Sequence, residues 1–341
     1  MAVDIFNPEV SQVVKGIEGK LILIYGTNRT GKTKNLTKAQ KPLVCCFENG
    51  LGAINGVPNV KIKKWSDWTS FVKQLTSEKT IADAKKLYSS IIIDTIDGMA
   101  DLASDFICGN FGVARINDGN RGYGLWKEYG AEINKQLRLL TGAGYTVFFI
   151  AHEGERTFQN EKGEEFVRIY PRGDKRVVDP ICDLCDIIAY AQLQPQTEDG
   201  GAPLSTLYLD GSPAYQAGSR FTHMVREIPE WNIEKLDKAL RDAIEAEEEE
   251  SGMKAATIQE AQKKAAKAKK EETEKKLSIE ELIDTIGSKL QAMTEKEGGI
   301  DSYADLMQRL LGTTDFKASQ ATEGQRQQLE MLIDGLTELG Y

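Results

Sequence analysis

One short segment, residues 26–33, restricts the fold of this chain more than any other feature of the sequence. It reads Gly-Thr-Asn-Arg-Thr-Gly-Lys-Thr and satisfies the pattern G-x-x-x-x-G-K-[ST]. The apolar run 21–25 precedes it, and residues 32–39 favour a helix. A glycine-rich turn between a buried strand and a helix directs backbone N–H groups and the positive end of the helix dipole toward one anion. The segment therefore predicts a strand–loop–helix unit that binds phosphate.

The residues of this phosphate-binding loop have separate chemical roles. Gly26 and Gly31 allow the tight backbone turn that brings the N–H groups together. The ammonium group of Lys32 is expected to contact the β- and γ-phosphates of a nucleoside triphosphate, and the hydroxyl of Thr33 to ligate Mg²⁺. The residues that we expect to surround the phosphates are Gly26, Thr27, Asn28, Arg29, Thr30, Gly31, Lys32 and Thr33.

Residues 1–245 alternate short apolar runs with segments that favour helices. Unbroken apolar runs of this length are typical of strands that are buried on both faces of a parallel sheet. The predicted strands are 21–25, 43–47, 90–93, 146–150, 187–193 and 205–209. The predicted helices are 32–39, 66–75, 97–107 and 125–140. This alternation indicates βαβ units with right-handed crossovers, and so an α/β core around a central, mostly parallel sheet.

The composition changes after residue 245. Residues 246–277 contain the acidic run 247–250 and then a stretch rich in Lys, Ala and Glu, which favours a charged helical linker. Residues 278–341 place apolar residues at helical spacing behind two capping boxes, the first of them formed by Ser278 and Glu281. We expect a small all-α C-terminal unit there, which can bind a protein partner.

Charge and composition exclude several classes of protein. The formal net charge of −9 argues against a chain that coats nucleic acid over its whole surface, although it leaves room for a local basic groove. No apolar run reaches the length of a membrane span, and the N-terminus lacks a basic-then-apolar leader, so we expect a cytoplasmic protein. Cys182 and Cys185 have no second pair nearby, which favours core thiols over a zinc site.

Three further side chains are expected at the same sheet edge as the phosphate-binding loop. Asp94 ends an apolar strand, where a carboxylate can complete the Mg²⁺ shell. Glu48 comes just after the second strand and can orient an attacking water. His152 follows the strand 146–150 and can detect the terminal phosphate, because open α/β sheets bind ligands at the carboxyl ends of their strands. Each also fits a structural role, as a turn carboxylate, a surface glutamate or a structural histidine.

In chain order, the phosphate-binding loop, Glu48, Asp94 and His152 resemble the RecA-like P-loop ATPases, and most of all those encoded by phages, which include single-strand annealing recombinases. The resemblance covers residues 15–230. It implies a RecA-like core that binds and hydrolyses ATP with Mg²⁺. The residues that it implies to be catalytic are Lys32, Glu48 and His152, and those at the metal are Thr33 and Asp94. It further implies a homo-oligomeric ring or filament that acts on single-stranded DNA in recombination or annealing, in a phage-infected bacterial cell.

In RecA-like rings and filaments ATP lies between subunits, so the resemblance implies that a neighbour supplies a basic residue. Two segments are candidates, 171–176 and 217–221. The second resembles a Lys-x-Arg element of ring helicases, but Gly218 occupies the lysine position and leaves the arginine alone. Both segments equally fit basic loops that face solvent. The candidate residues are Arg172, Lys175, Arg176 and Arg220.

Two segments have the composition of a single-strand binding site, which combines a flexible backbone, cations and aromatic rings. The first is 110–124, and its aromatic and basic residues are Phe111, Arg115, Arg121 and Tyr123. The second is 153–176, with a predicted hairpin tip at 160–163. Both segments also contain acidic residues and fit ordinary mobile loops equally well.

Two other functions fit the same sequence. A P-loop kinase or phosphotransferase would use residues 153–176 as an arginine-rich lid over a second substrate. A nucleotide-gated adaptor would act through the C-terminal unit, with ATP as a switch. Turnover by a monomer that DNA does not change would favour the kinase, and negligible turnover with nucleotide-dependent partner binding would favour the adaptor.

Overall fold

The strands and helices of the chain fall into two units, residues 1–261 and 262–341. The computed structural model describes residues 11–194, 204–256, 260, 277–294 and 299–339. The strands of the first unit are β1 (Leu21–Gly26), β2 (Pro42–Cys46), β3 (Asn59–Lys61), β4 (Ser90–Asp94), β5 (Thr146–Gln159), β6 (Glu165–Pro171), β7 (Ile187–Leu193), β8 (Ser205–Tyr208), β9 (Gly218–Ser219) and β10 (Glu227–Ile228). Its helices are α1 (Lys32–Leu36), α2 (Trp65–Thr76), α3 (Ile81–Leu87), α4 (Ile96–Phe111), α5 (Trp126–Thr141), α6 (Lys175–Leu184) and α7 (Ile233–Ser251).

The central sheet has the strand order β10-β8-β7-β1-β5-β4-β2-β3, with β6 paired to β5 and β9 paired to β7. The strands from β7 to β3 in this order run parallel. β8 and β9 pair antiparallel with β7, and β10 pairs antiparallel with β8. The predicted α/β core with a mostly parallel sheet is therefore confirmed. Because β1 lies between β5 and β7, the loop that follows it emerges between two other strand ends.

The side chains of β1 alternate between the two faces of the sheet. Ile22 and Ile24 pack with residues of α1 and α7, whereas Leu23 and Tyr25 pack with residues of α2, α4, α5 and α6 on the opposite face. All four side chains are fully buried, which explains why the strand is an unbroken apolar run in the sequence. Helices thus cover both faces and leave the carboxyl ends of the strands as the edge where a ligand can bind.

β5 is longer than the sequence predicts. Its apolar run ends at residue 150, but the strand continues to Gln159 because its second half pairs antiparallel with β6. The hairpin turns where the sequence predicts a tip, with Gly163 N donating to Asn160 O at 2.9 Å. The predicted tip is confirmed, while the predicted strand end is wrong, so His152 lies within β5 and not after it.

α7 extends past residue 245, where the sequence predicts that the core ends. The acidic run 247–250 forms the end of this helix, and Glu248 forms an ion pair with Lys15 at 2.7 Å. This ion pair attaches the run to the first unit. Residues 261–276 of the predicted linker lie outside the residues that the structure describes.

The second unit contains three described helices, α8 (Ile279–Thr294), α9 (Gly299–Leu311) and α10 (Arg326–Glu338). The first predicted capping box is present, because Ser278 N donates to Glu281 Oε2 at 2.6 Å and Glu281 N donates to Ser278 Oγ at 3.1 Å. The buried residues of this unit are Leu282, Ile286, Met293, Leu306, Met307, Leu329, Leu332 and Leu336. Within the described parts of both units, none of the helices has the length and apolar character needed to cross a membrane.

Candidate nucleotide-binding site

The phosphate-binding loop connects β1 to α1, and its backbone requires glycine at two positions. Gly26 has a φ of +147°, and a Cβ atom there would lie 2.0 Å from the carbonyl oxygen of Ala191 on β7. Gly31, the N-cap of α1, has a φ of +79°. Both angles lie in the region that favours glycine. The loop can therefore leave the sheet close to the backbone of β7.

The remaining residues of the loop differ in their exposure and contacts. Asn28 and Arg29 are exposed. Thr30 is buried, and its hydroxyl donates to Thr27 O at 3.1 Å. The Oγ1 atom of Thr27 is buried and has no hydrogen-bond partner in the described part of the chain. A buried hydroxyl without a partner costs free energy, so this atom is available to a polar ligand.

Lys32 lies beneath the loop, with 7% of its surface exposed. Its Nζ donates to Gly26 O at 2.8 Å and to Thr27 O at 2.7 Å. Burial lowers the pKa of Lys32 to about 8, although nearby carboxylates, with Asp94 first among them, favour the charged form. Burial removes the water that stabilises the charged ammonium group, and the negative charge of a bound phosphate would stabilise it instead. This ammonium group is therefore suited to contact an anion.

The pKa of Lys32 predicts a pH dependence of nucleotide binding. Because about half of the lysine is uncharged near pH 8 and the charged form binds an anion more strongly, we expect affinity to fall as the pH rises from 7.5 to 9. Binding at about pH 8.5 should also take up protons. Calorimetry in two buffers of different ionisation enthalpy measures this uptake, and Lys32→Arg, which stays charged, should abolish it. Affinity that is constant over this range would contradict the prediction.

Thr33 and Asp94 join the loop to the end of β4. Thr33 Oγ1 donates to Asp94 Oδ2 at 2.9 Å. Burial raises the pKa of Asp94, and the hydrogen bond from Thr33 partly opposes this shift. Oxygen atoms of a hydroxyl and a carboxylate are the ligands that Mg²⁺ prefers. With the buried ammonium of Lys32 and the buried hydroxyl of Thr27, this donor set fits a magnesium nucleotide.

Glu48 lies just beyond β2 and is held by a residue that the sequence does not identify as part of the site. Its Oε1 accepts a hydrogen bond from Thr95 Oγ1 at 2.8 Å. Thr95 is buried and also caps α4, where its hydroxyl accepts from Gly98 N at 3.3 Å. Since Thr95 directly follows Asp94, one short segment supports both the expected metal ligand and the expected base.

Asp97, in the first turn of α4, joins two of the predicted residues. Its Oδ2 lies 2.8 Å from His152 Nδ1 and accepts a hydrogen bond from Arg172 Nη2 at 2.7 Å. Burial raises the pKa of Asp97, but hydrogen bonds from His152 and Arg172 outweigh burial, so that the net shift is downward. One ligand-type atom each of Glu48, Asp97 and His152 lies within 4.8 Å of the others. Arg172 therefore lies in the site of its own chain.

Glu153 is another carboxylate at this edge that the sequence does not identify. Its Oε2 accepts a hydrogen bond from Tyr190 OH at 3.0 Å, and its charge favours the protonated form of Lys32. The carboxylates that act on Lys32 in this way are Asp94, Glu153, Asp97 and Glu48. In the sequence, Glu153 could have been selected as the acid that directly follows His152 on a central strand.

The other three basic residues predicted to act at a neighbouring subunit have different surroundings. Lys175 begins α6 and is exposed. The guanidinium of Arg176 lies 4.0 Å from the ring centroid of Trp126. Arg220 forms an ion pair with Asp186 at 3.6 Å. Asp186 directly precedes β7, so this pair lies at the amino ends of the parallel strands, whereas the phosphate-binding loop lies at their carboxyl ends.

The predicted DNA-binding segment 110–124 contains the end of α4 and most of the connection to α5, and it exposes the side chains that the sequence indicated. Tyr123 is 84% exposed and Phe111 is 53% exposed. Arg115 and Arg121 are exposed as well. The second predicted segment, 153–176, contains the β5–β6 hairpin and the start of α6.

The region that carries this site is similar to known proteins. Residues 18–221 match the family described as AAA domain. The chain is also 39% identical over 342 residues to the SPbeta prophage-derived uncharacterized protein YorG of Bacillus subtilis (strain 168), and the alignment covers 99% of each of the two proteins. The family match spans the phosphate-binding loop and the strands from β1 to β9. The chain therefore belongs to the AAA domain family of P-loop NTPases.

Proposed function

We propose that this AAA domain protein hydrolyses ATP with Mg²⁺ and acts on single-stranded DNA in phage recombination or annealing, as a RecA-like ring or filament. The observation that carries the hydrolysis proposal is the Thr33–Asp94 hydrogen bond, which lies beside the buried Lys32 and at the same sheet edge as Glu48. A phosphate-binding lysine, two oxygen ligands for Mg²⁺ and a base for water are the groups that phosphoryl transfer to water requires.

In this proposal Lys32 binds the phosphates, and Thr33 and Asp94 hold the metal ion. When bound, Mg²⁺ neutralises charge that develops on the phosphate oxygens. Glu48 is proposed to accept a proton from the attacking water, because the hydrogen bond from Thr95 fixes the direction of its carboxylate. His152, which Asp97 holds, is proposed to contact the terminal phosphate.

The segment 110–124 supports the DNA part of the proposal. Exposed rings such as Tyr123 and Phe111 stack on bases, and exposed guanidinium groups such as those of Arg115 and Arg121 bind the backbone of a single strand. The prophage origin of a relative that aligns over almost the whole chain supports a role in a bacterial cell that carries a phage.

Arg220 supports the oligomeric part of the proposal. It lies at the amino ends of the parallel strands, so it is far from the phosphate-binding loop of its own chain. Its side chain is 58% exposed, and a second chain stacked against this edge would meet the guanidinium.

The test is the rate of ATP hydrolysis with and without single-stranded DNA, at two salt concentrations. We expect DNA to stimulate hydrolysis, and the stimulation to weaken at the higher salt concentration because phosphate contacts are screened. Replacing Arg115 and Arg121 together by alanine should reduce the stimulation, whereas Arg138→Ala, an exposed arginine on α5, should not. A wild-type protein that neither responds to DNA nor retains it at low salt would overturn the DNA proposal.

A further inference from the structure

We infer that Arg172 acts in cis: it exchanges Asp97 for the terminal phosphate of a nucleoside triphosphate bound to the same chain. This inference rests on the proposed nucleotide-binding function and names the basic residue that completes the site. It differs from the role in a neighbouring subunit that the sequence resemblance implies for this segment. Four observations on Arg172 and its surroundings support it.

The backbone of Arg172 is attached to the candidate sensor strand. Arg172 N donates to the carbonyl oxygen of His152 at 2.8 Å, directly beyond the last β5–β6 pair. His152 is in turn the register partner of Gly26 at the start of the phosphate-binding loop. The hairpin therefore returns Arg172 to the sheet edge where the loop begins, within its own chain.

The contact of Arg172 with Asp97 leaves much of the guanidinium available. Nε and Nη2 both donate to Asp97 Oδ2, at 3.2 and 2.7 Å, and Nη2 also lies 2.9 Å from His152 Nδ1. The side chain of Arg172 is 55% exposed, whereas that of Asp97 is 13% exposed. Because more than half of the arginine side chain is exposed, a triphosphate can reach the guanidinium and compete with Asp97 for it.

Asp97 has a second partner besides Arg172. Its Oδ2 is shared between Arg172 and His152, so the His152 contact at 2.8 Å remains when the arginine leaves. Arginine binds phosphate more strongly than it binds one carboxylate oxygen, because its planar fork can donate two parallel hydrogen bonds to a phosphate. The exchange thus replaces two hydrogen bonds that converge on one carboxylate oxygen by two parallel bonds to two phosphate oxygens.

The charge of the site also favours the exchange of Asp97 for the phosphate by Arg172. Four carboxylates lie close enough to Lys32 to affect its charge, and a triphosphate adds further negative charge at this edge. Of the four basic residues that the sequence proposes for completing the site, Arg172 is the one whose described contacts include Asp97 and His152. Gly173, which follows it with a φ of +139°, adds backbone freedom next to the arginine.

The first test compares the binding of a non-hydrolysable ATP analogue with that of ADP, both with Mg²⁺, by calorimetry. In Arg172→Ala we expect affinity for the analogue to fall about tenfold, the effect of one charge-assisted contact, and affinity for ADP to stay unchanged. Arg172→Lys should recover part of the loss, and Arg138→Ala should match the wild type. An equal loss for both nucleotides would show a structural role and overturn the inference.

The second test separates cis from trans action. Lys32→Ala keeps Arg172 but lacks the loop lysine, so in a mixed assembly it can supply Arg172 only to a neighbour. If Arg172 acts in cis, adding this variant leaves the affinity of Arg172→Ala for the analogue unchanged, and recovered affinity would overturn the inference. If the chains do not assemble, tighter binding of the analogue than of ADP by the wild-type monomer supports cis action. A wild type that binds neither nucleotide would instead overturn the proposed function.

Discussion

Replacement of Lys32 by alanine is expected to lower both the affinity for a nucleoside triphosphate and the rate of its hydrolysis by about 100-fold or more. The reason lies in the charges around the lysine. Asp94, Glu153, Asp97 and Glu48 all act on its ammonium group, so its removal leaves four carboxylates facing an anionic ligand. No compensating cation approaches the loop oxygens that Lys32 binds in the described part of the chain. Equilibrium binding and single-turnover hydrolysis measure the two losses separately.

Lys34→Ala is the matched control, because Lys34 lies on the same short helix but is exposed. It should bind and hydrolyse the nucleotide as the wild type does. Thermal denaturation without nucleotide checks that Lys32→Ala still folds, since the lysine also donates to two loop carbonyls. A folded Lys32→Ala protein that binds the triphosphate within about twofold of the wild type would exclude the loop as the phosphate site.

The sequence predicts the parallel core well because burial on both faces makes its strands unbroken apolar runs. β1 and β4 are examples, since every residue from Ile22 to Gly26 and from Ser90 to Asp94 is buried. The same signal fails for the second half of β5. Beyond His152 the strand is held by pairing with β6, and from Glu155 onward its residues alternate between exposed and half-buried positions. Apolar content therefore does not mark where β5 ends.

The residues of the candidate site likewise differ in whether the sequence alone could identify them. Glu48, Asp94 and His152 could be selected because parallel strands end at one edge of the sheet. Asp97 could not, because an acid in the first turn of a helix is common for electrostatic reasons alone. Its contact with His152 joins residues 55 positions apart in the chain. The position of Arg172 depends on the whole length of the β5–β6 hairpin, which no local pattern specifies.

Glu48→Gln is expected to reduce hydrolysis by about 10²- to 10⁴-fold, the usual contribution of a positioned base, while binding of the ATP analogue stays within about twofold. The substitution is suited to this question because the amide keeps the shape of the side chain. Its oxygen can still accept the hydrogen bond that Thr95 Oγ1 donates at 2.8 Å, so the local structure should persist. What the amide loses is the capacity to accept a proton from water.

The activities of the glutamine and alanine variants therefore distinguish a catalytic role of Glu48 from a purely structural one. If Glu48 served only to receive the Thr95 hydrogen bond, glutamine would preserve activity and alanine would not. If Glu48 is the base, both substitutions should stop hydrolysis, and Glu48→Gln should accumulate the unhydrolysed triphosphate on the protein. Glu234→Gln, an exposed acid on α7, controls for the loss of one negative charge. Hydrolysis by Glu48→Gln within about threefold of the wild type would exclude Glu48 as the base and direct the search to Glu153, whose carboxylate lies at the same edge.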